Sequence, residues 1–120
     1  MTSITEKGHD GGFLMSEADG HLSRENVTLV AGQNLAAGAV LGKITASGKY
    51  SAVNEAGSDG TQTAAGILLN GTDASAADVA VAIIARDAEV NGNELSWGSQ
   101  SPTNQAAAII ELAAINIRVR

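Results

Sequence analysis

Val79-Ala80-Val81-Ala82-Ile83-Ile84 is the stretch that decides the fold. Val79, Val81 and Ile83 alternate with alanines, the period of two that sends successive side chains to opposite faces of a strand. A face of alanines packs well only against a close neighbour, so this strand belongs inside a sheet. Upstream, Ala64-Ala65-Gly66-Ile67-Leu68-Leu69 is a continuous small and apolar run bounded by Asn70-Gly71. It suits a strand buried on both faces or lying at a subunit contact, and its internal Gly66 predicts a bulge or a close backbone approach. Earlier still, Asn26-Val27-Thr28-Leu29-Val30 reads as a strand ended by Gly32, and Gly32, Gly38 and Gly42 predict tight turns around a short buried piece. Residues 43–46 would be the strand of that piece, with Ser47-Gly48 turning the chain into Tyr50-Ser51-Ala52-Val53.

Downstream, residues 87–93 read as turns and Glu94-Leu95-Ser96-Trp97 as a short edge piece. One helix is expected. Ser101 suits the N-cap, Pro102 the first helical position, and Ala106, Ile109, Ile110 and Ala113 recur at i, i+3, i+4 and i+7, a face to lay on the sheet. The chain ends Ile115-Asn116-Ile117-Arg118-Val119-Arg120, whose alternation predicts a terminal strand with a basic outer face. Short strands punctuated by Gly, Asn, Asp and Ser make this a mainly β domain.

At 120 residues and 12.0 kDa the chain has room for one domain. Size scaling gives about 6,000 Å² of folded surface against about 17,400 Å² unfolded. The core must be aliphatic, because Phe13, Tyr50 and Trp97 are the only aromatic residues. Small side chains bury less area each, and self-association is one way for such a chain to gain the missing burial. Seven Lys plus Arg against 13 Asp plus Glu leave a net charge of −6, which disfavours nucleic acid and anionic membranes. No cysteine is present, so disulfides, thiolate metal sites and Cys nucleophiles are excluded. No apolar run is long enough to span a bilayer, and Met1-Thr2-Ser3-Ile4-Thr5-Glu6-Lys7-Gly8 has no basic region followed by a hydrophobic one. A soluble protein without a secretion signal is expected.

Residues 1–25 differ in texture from the rest, with Gly8, Gly11, Gly12 and Gly20 among charged and small polar residues. They read as a flexible arm, with residues 26–120 forming the body. Ile4 and Phe13-Leu14-Met15 are the arm's apolar content, candidates to anchor it to another protein surface.

No motif carries chemistry. His9 and His21 lie twelve apart in the Gly-rich arm, without the rigid geometry a metal site needs. Ser16, Asp19 and His21 could supply a hydrolytic triad by type only, since the serine lacks a nucleophile elbow. Gly38-Ala39-Val40-Leu41-Gly42-Lys43-Ile44-Thr45 has one residue too few between its glycines for a phosphate loop, and Ile44 stands where Ser or Thr must follow the lysine. Asp87 and Glu89 share a face if the chain is extended there, but an acidic turn accounts for them equally. Trp97 either fills the largest gap in a core of small residues or anchors a subunit interface.

Several stretches together resemble the head-decoration proteins of lambda-like tailed bacteriophages. They are Gly12-Phe13-Leu14-Met15-Ser16-Glu17 with Ser23-Arg24-Glu25-Asn26, the segment Gly32 to Gly42, Ala65-Gly66-Ile67-Leu68, Arg86-Asp87-Ala88-Glu89-Val90-Asn91 and the ending Ile117-Arg118-Val119-Arg120. Their order along the chain carries the resemblance. It implies a β-clip-like bent ribbon or incomplete barrel with one short C-terminal helix and an extended N-terminal arm. It further implies a homotrimer on the outer surface of the virion capsid, made in the host bacterial cytoplasm, with arms reaching onto the major capsid protein. No enzyme activity, cofactor, nucleic-acid partner or membrane partner is expected. Ile4, Phe13, Leu14 and Met15 are the candidate capsid contacts, and Gly66, Ile67, Leu68 and Trp97 the candidate subunit interface. The alternative is a small β adhesion or carbohydrate-binding module on a virion surface, which would need exposed aromatic rings for sugar stacking.

Overall fold

The computed structural model describes residues 12–20, 22–54, 57–98 and 100–120. Among the described residues ten strands, one 3-10 turn and one α-helix follow in the order β1 (Leu14–Glu17), β2 (Arg24–Leu29), β3 (Gln33–Leu35), β4 (Val40–Lys43), β5 (Tyr50–Ala52), β6 (Ala64–Leu68), β7 (Thr72–Ala74), β8 (Val79–Ile84), β9 (Ala88–Val90), the 3-10 turn Gly92–Glu94, α1 (Pro102–Ala114) and β10 (Ile117–Val119). The fold is mainly β with one short C-terminal helix. Five strands close into a barrel in the order β2-β5-β4-β6-β8, flanked by a three-stranded sheet β1-β9-β10 and a two-stranded sheet β3-β7.

The stretch 79–84 is β8, and it pairs antiparallel with the whole of β2 from Arg24↔Ile84 to Leu29↔Val79. Its two faces meet different cores. Val81 and Ile83 point into the barrel with Leu29, Leu41, Tyr50 and Leu68. Ile84 points the other way, into a second core with Phe13, Val40, Ile67, Val90, Leu112 and Ile117. β4 and β6 are split likewise, so Val40-Leu41, Ile67-Leu68 and Ile83-Ile84 each send one side chain to each core. A sheet covered on both faces explains why 64–69 reads as an unbroken apolar run.

Close backbone approach sets two glycines. A β-carbon on Gly66 would stand 2.9 Å from Ile83 Cδ1 and 3.0 Å from the Ile84 carbonyl, and one on Gly42 would stand 2.6 Å from the Thr61 backbone. The register between β4 and β6 shifts at Leu41/Gly42, where the Thr61 backbone abuts Gly42.

The barrel's narrowest seam is β2 to β5, a parallel junction with the single pair Leu29↔Tyr50. Asp78 braces it, accepting hydrogen bonds from Lys49 Nζ at 2.6 Å and from the Ala31 amide at 2.8 Å. Those two bonds, the lysine's first, hold its carboxyl below the ordinary carboxylate value of 3.8.

Four sequence readings need correction. The strand expected at residues 43–46 lies earlier, as β4, and the chain turns at 45–47, where the Gly48 amide donates to the Ile44 carbonyl. Residues 87–93 contain a strand, β9, because Ala88 and Val90 are buried between β1 and β10. The arm does not extend to residue 25, since β1 and the start of β2 lie within it. The helix begins as expected, with Ser101 Oγ accepting from the Asn104 amide at 3.3 Å, but it buries Ala108 and Leu112, leaving Ile109 and Ile110 facing out. Alanines make nearly every face of α1 apolar, so periodicity alone does not choose one. Glu111 chooses it, its Oε1 accepting the Ala64 amide of β6 at 3.0 Å. Asn116, at φ 61°, ends the helix in the left-handed conformation that asparagine tolerates.

Leu112→Ala should lower unfolding free energy by about 2–5 kcal/mol, as expected for a buried leucine, measured by urea denaturation. The Asp78 carboxyl is depressed in the folded protein, so its contribution is present above the unfolded carboxylate value and is lost as pH falls through the folded one. Asp78→Asn is therefore expected to flatten the stability-against-pH curve below about pH 4, read by thermal melts across acid pH.

Candidate functional site

The N-terminal segment joins the body at β1, which pairs with β9. Ile4 lies outside the described residues. Phe13 is 1% exposed and sits in the second core, so it is not a capsid anchor but the plug that fixes the root of the segment. Its carbonyl accepts the Asn91 amide at 2.7 Å. Leu14 is half-buried and packs against the same core, while Met15 is 57% exposed at the irregularity where β1 shifts register against β9. Of the four expected anchors, Met15 is the described one that faces outward.

A buried hydroxyl locks this root in place. Ser23, fully buried, accepts the Ala18 amide at 2.9 Å and donates to the Asp87 carbonyl at 2.7 Å, tying the β1-β2 turn to the β8-β9 turn. Arg24 closes the turn from outside with a two-pronged contact on Glu17, Nη2 to Oε1 at 2.7 Å and Nε to Oε2 at 3.0 Å. The Glu17 bond raises the arginine's pKa further above its already high value. Sequence reasoning missed Ser23, because an isolated serine in a polar stretch carries no signal of burial.

The expected subunit-interface residues divide. Gly66, Ile67 and Leu68 are buried inside the subunit, since β6 is flanked by β4 and β8 and both of its faces are covered, so they offer no surface to another copy. Trp97 is half-buried and packs against the second core. Its neighbour Ser96 bridges to Ala39. Among the described residues no three His, Cys, Asp or Glu gather as a metal cluster.

A family model, described as the bacteriophage lambda head decoration protein D, matches residues 3–117. The chain belongs to that decoration-protein family. The match begins within the N-terminal segment and runs into β10, so it takes in both segment and body. No curated protein matches the chain. Membership makes this a structural protein of the phage head, one that decorates the capsid.

Phe13→Ala should cost the decoration protein about 3–5 kcal/mol as a core deletion, whereas Met15→Ala should stay within about 0.5 kcal/mol as an exposed change. Chemical denaturation of the two variants side by side checks the assignment.

Proposed function

We propose that this decoration protein binds as a homotrimer to the outer surface of the expanded phage head, gripping the major capsid protein with its N-terminal segments and stabilising the shell against packaged DNA. The observation that carries the reading is the family match through residues 3–117, which includes most of the segment that precedes the fixed root.

The physics is avidity. Eleven residues reach at most about 40 Å when extended. Three such segments on one trimer dock in succession, the second and third at high effective concentration, so overall binding exceeds single-segment affinity by roughly 10² to 10⁴. Ile4 and the exposed Met15 supply apolar contacts, and strand addition to a capsid edge would supply backbone hydrogen bonds. Because the trimer binds the assembled shell, it favours that shell by mass action. Subunits are made in the host bacterial cytoplasm and add to the head from outside. The adhesion alternative asks for exposed rings; Phe13 and Tyr50 are buried and Trp97 is half-buried.

Deletion of residues 1–11 leaves Phe13 and β1 in place. The truncated protein should keep its melting temperature and solution mass yet lose binding to undecorated expanded heads by at least about 10²-fold, measured by co-sedimentation. Binding at full-length strength would overturn the role given to the segment.

A further inference from the structure

Asn-Gly is the dipeptide in which a backbone amide most readily attacks the side chain before it, because glycine puts no side chain beside the attacking nitrogen. The chain carries it twice, at Asn70-Gly71 and at Asn91-Gly92. The fold treats the two copies differently.

Asn91 is held at its backbone and at its side chain. Its amide donates to the Phe13 carbonyl at 2.7 Å, and its carbonyl accepts the Glu94 amide at 3.0 Å. Its Oδ1 caps the turn Gly92–Glu94, accepting the Asn93 amide at 3.0 Å. The Gly92 amide, which would be the nucleophile, donates to the Arg120 carbonyl at 3.1 Å. A β-carbon on Gly92 would stand 2.9 Å from Val119 Cγ1, so the backbone there is also close-packed. Cyclisation would have to break the bonds that join the end of β9 to Phe13 and to Arg120.

Asn70 stands at the corner where the chain leaves β6 in the barrel wall for β7 in the two-stranded sheet. Asn70 and Gly71 are both exposed and lie outside any strand. The Asn70 carboxamide has no hydrogen-bond partner among the described residues, and its carbonyl accepts Thr72 Oγ1 at 3.0 Å. A β-carbon on Gly71 would meet nothing nearer than 3.6 Å, so the corner has room for a ring to form.

We propose that Asn70 is a site of spontaneous deamidation and isoaspartate formation, and that the fold bars the same reaction at Asn91. The Gly71 nitrogen attacks Asn70 Cγ, the Cγ–Nδ2 bond breaks, and ammonia leaves with the proton that the Gly71 amide gives up. Water then opens the succinimide at either carbonyl, giving aspartate or isoaspartate. No electrons are transferred, and water is the sole co-reactant. Each conversion adds one negative charge to a chain whose net charge is −6. The isoaspartate branch also lengthens the backbone by one carbon. Asn70 and Gly71 belong to neither core, so the modified subunit keeps its fold while the charge and path of the β6-β7 corner change.

Ageing the purified full-length protein at mildly alkaline pH, folded in buffer and unfolded in urea, tests the assignment. Tryptic peptides 50–86 and 87–118 separate the two sites. Mass spectrometry follows deamidation in each, and electron-transfer fragmentation tells isoaspartate from aspartate. In the folded protein Asn70 should convert, with isoaspartate among the products and an acidic shift on anion exchange, while Asn91 stays an amide. In urea both should convert. Gly71→Ala, for which the corner has room, should slow the loss of the Asn70 amide without changing the melting temperature. An Asn70 that stays an amide in the folded protein, or an Asn91 that converts there as fast as Asn70, would overturn the proposal. An Asn91 that stays an amide in urea as well would remove the protection assigned to the fold.

Discussion

The molecule depends on one sheet being buried on both faces. Val40-Leu41, Ile67-Leu68 and Ile83-Ile84 form a partition in which each strand gives one side chain to the barrel and the next to the core beneath the helix. With Phe13, Tyr50 and Trp97 as its only rings, the chain cannot fill one large core. Two small aliphatic cores sharing a wall use the same strands twice. The cost is tolerance, since Gly66 and Gly42 have no room for a β-carbon and the wall cannot slip register without exchanging its two faces.

That partition explains why the N-terminal segment has a rigid root. Phe13 enters the core that Ile84 and Ile67 line from the other side, so the point of departure is packed against the barrel wall itself. β9 lies between β1 and β10, and Val90 of β9 and Ile117 of β10 reach the same core. Ser23 and the Arg24-Glu17 pair hold the turn beside it. A pull on Phe13 would reach the barrel through close-packed contacts.

Much of this was legible in the sequence. The alternation of 79–84 specified β8, Ser101-Pro102 the start of α1, and the alternating tail β10. Gly66 in an apolar strand announced a close approach, and Ile83 is its neighbour. What failed had physical causes. Phe13 read as an arm residue because its core partners, Val90, Leu112 and Ile117, are far away in the chain and no local period reveals them. Ile67 and Leu68 suited a subunit contact because burial within a subunit and burial between subunits leave the same mark on a sequence. The helix was misoriented because its isoleucines outrank its alanines in hydrophobicity, yet Glu111 binds the Ala64 amide and turns Leu112 inward.

In the proposed role, the β1 edge of the body delivers the N-terminal segment to the capsid. Electron microscopy of undecorated expanded heads mixed with the purified protein tests this most directly, by fitting the body into the added density. Three copies around a threefold position, each with the β1 edge and Met15 turned toward the shell, is the result expected. Isolated copies, or bodies with β1 turned to solvent and the opposite surface on the shell, would contradict it.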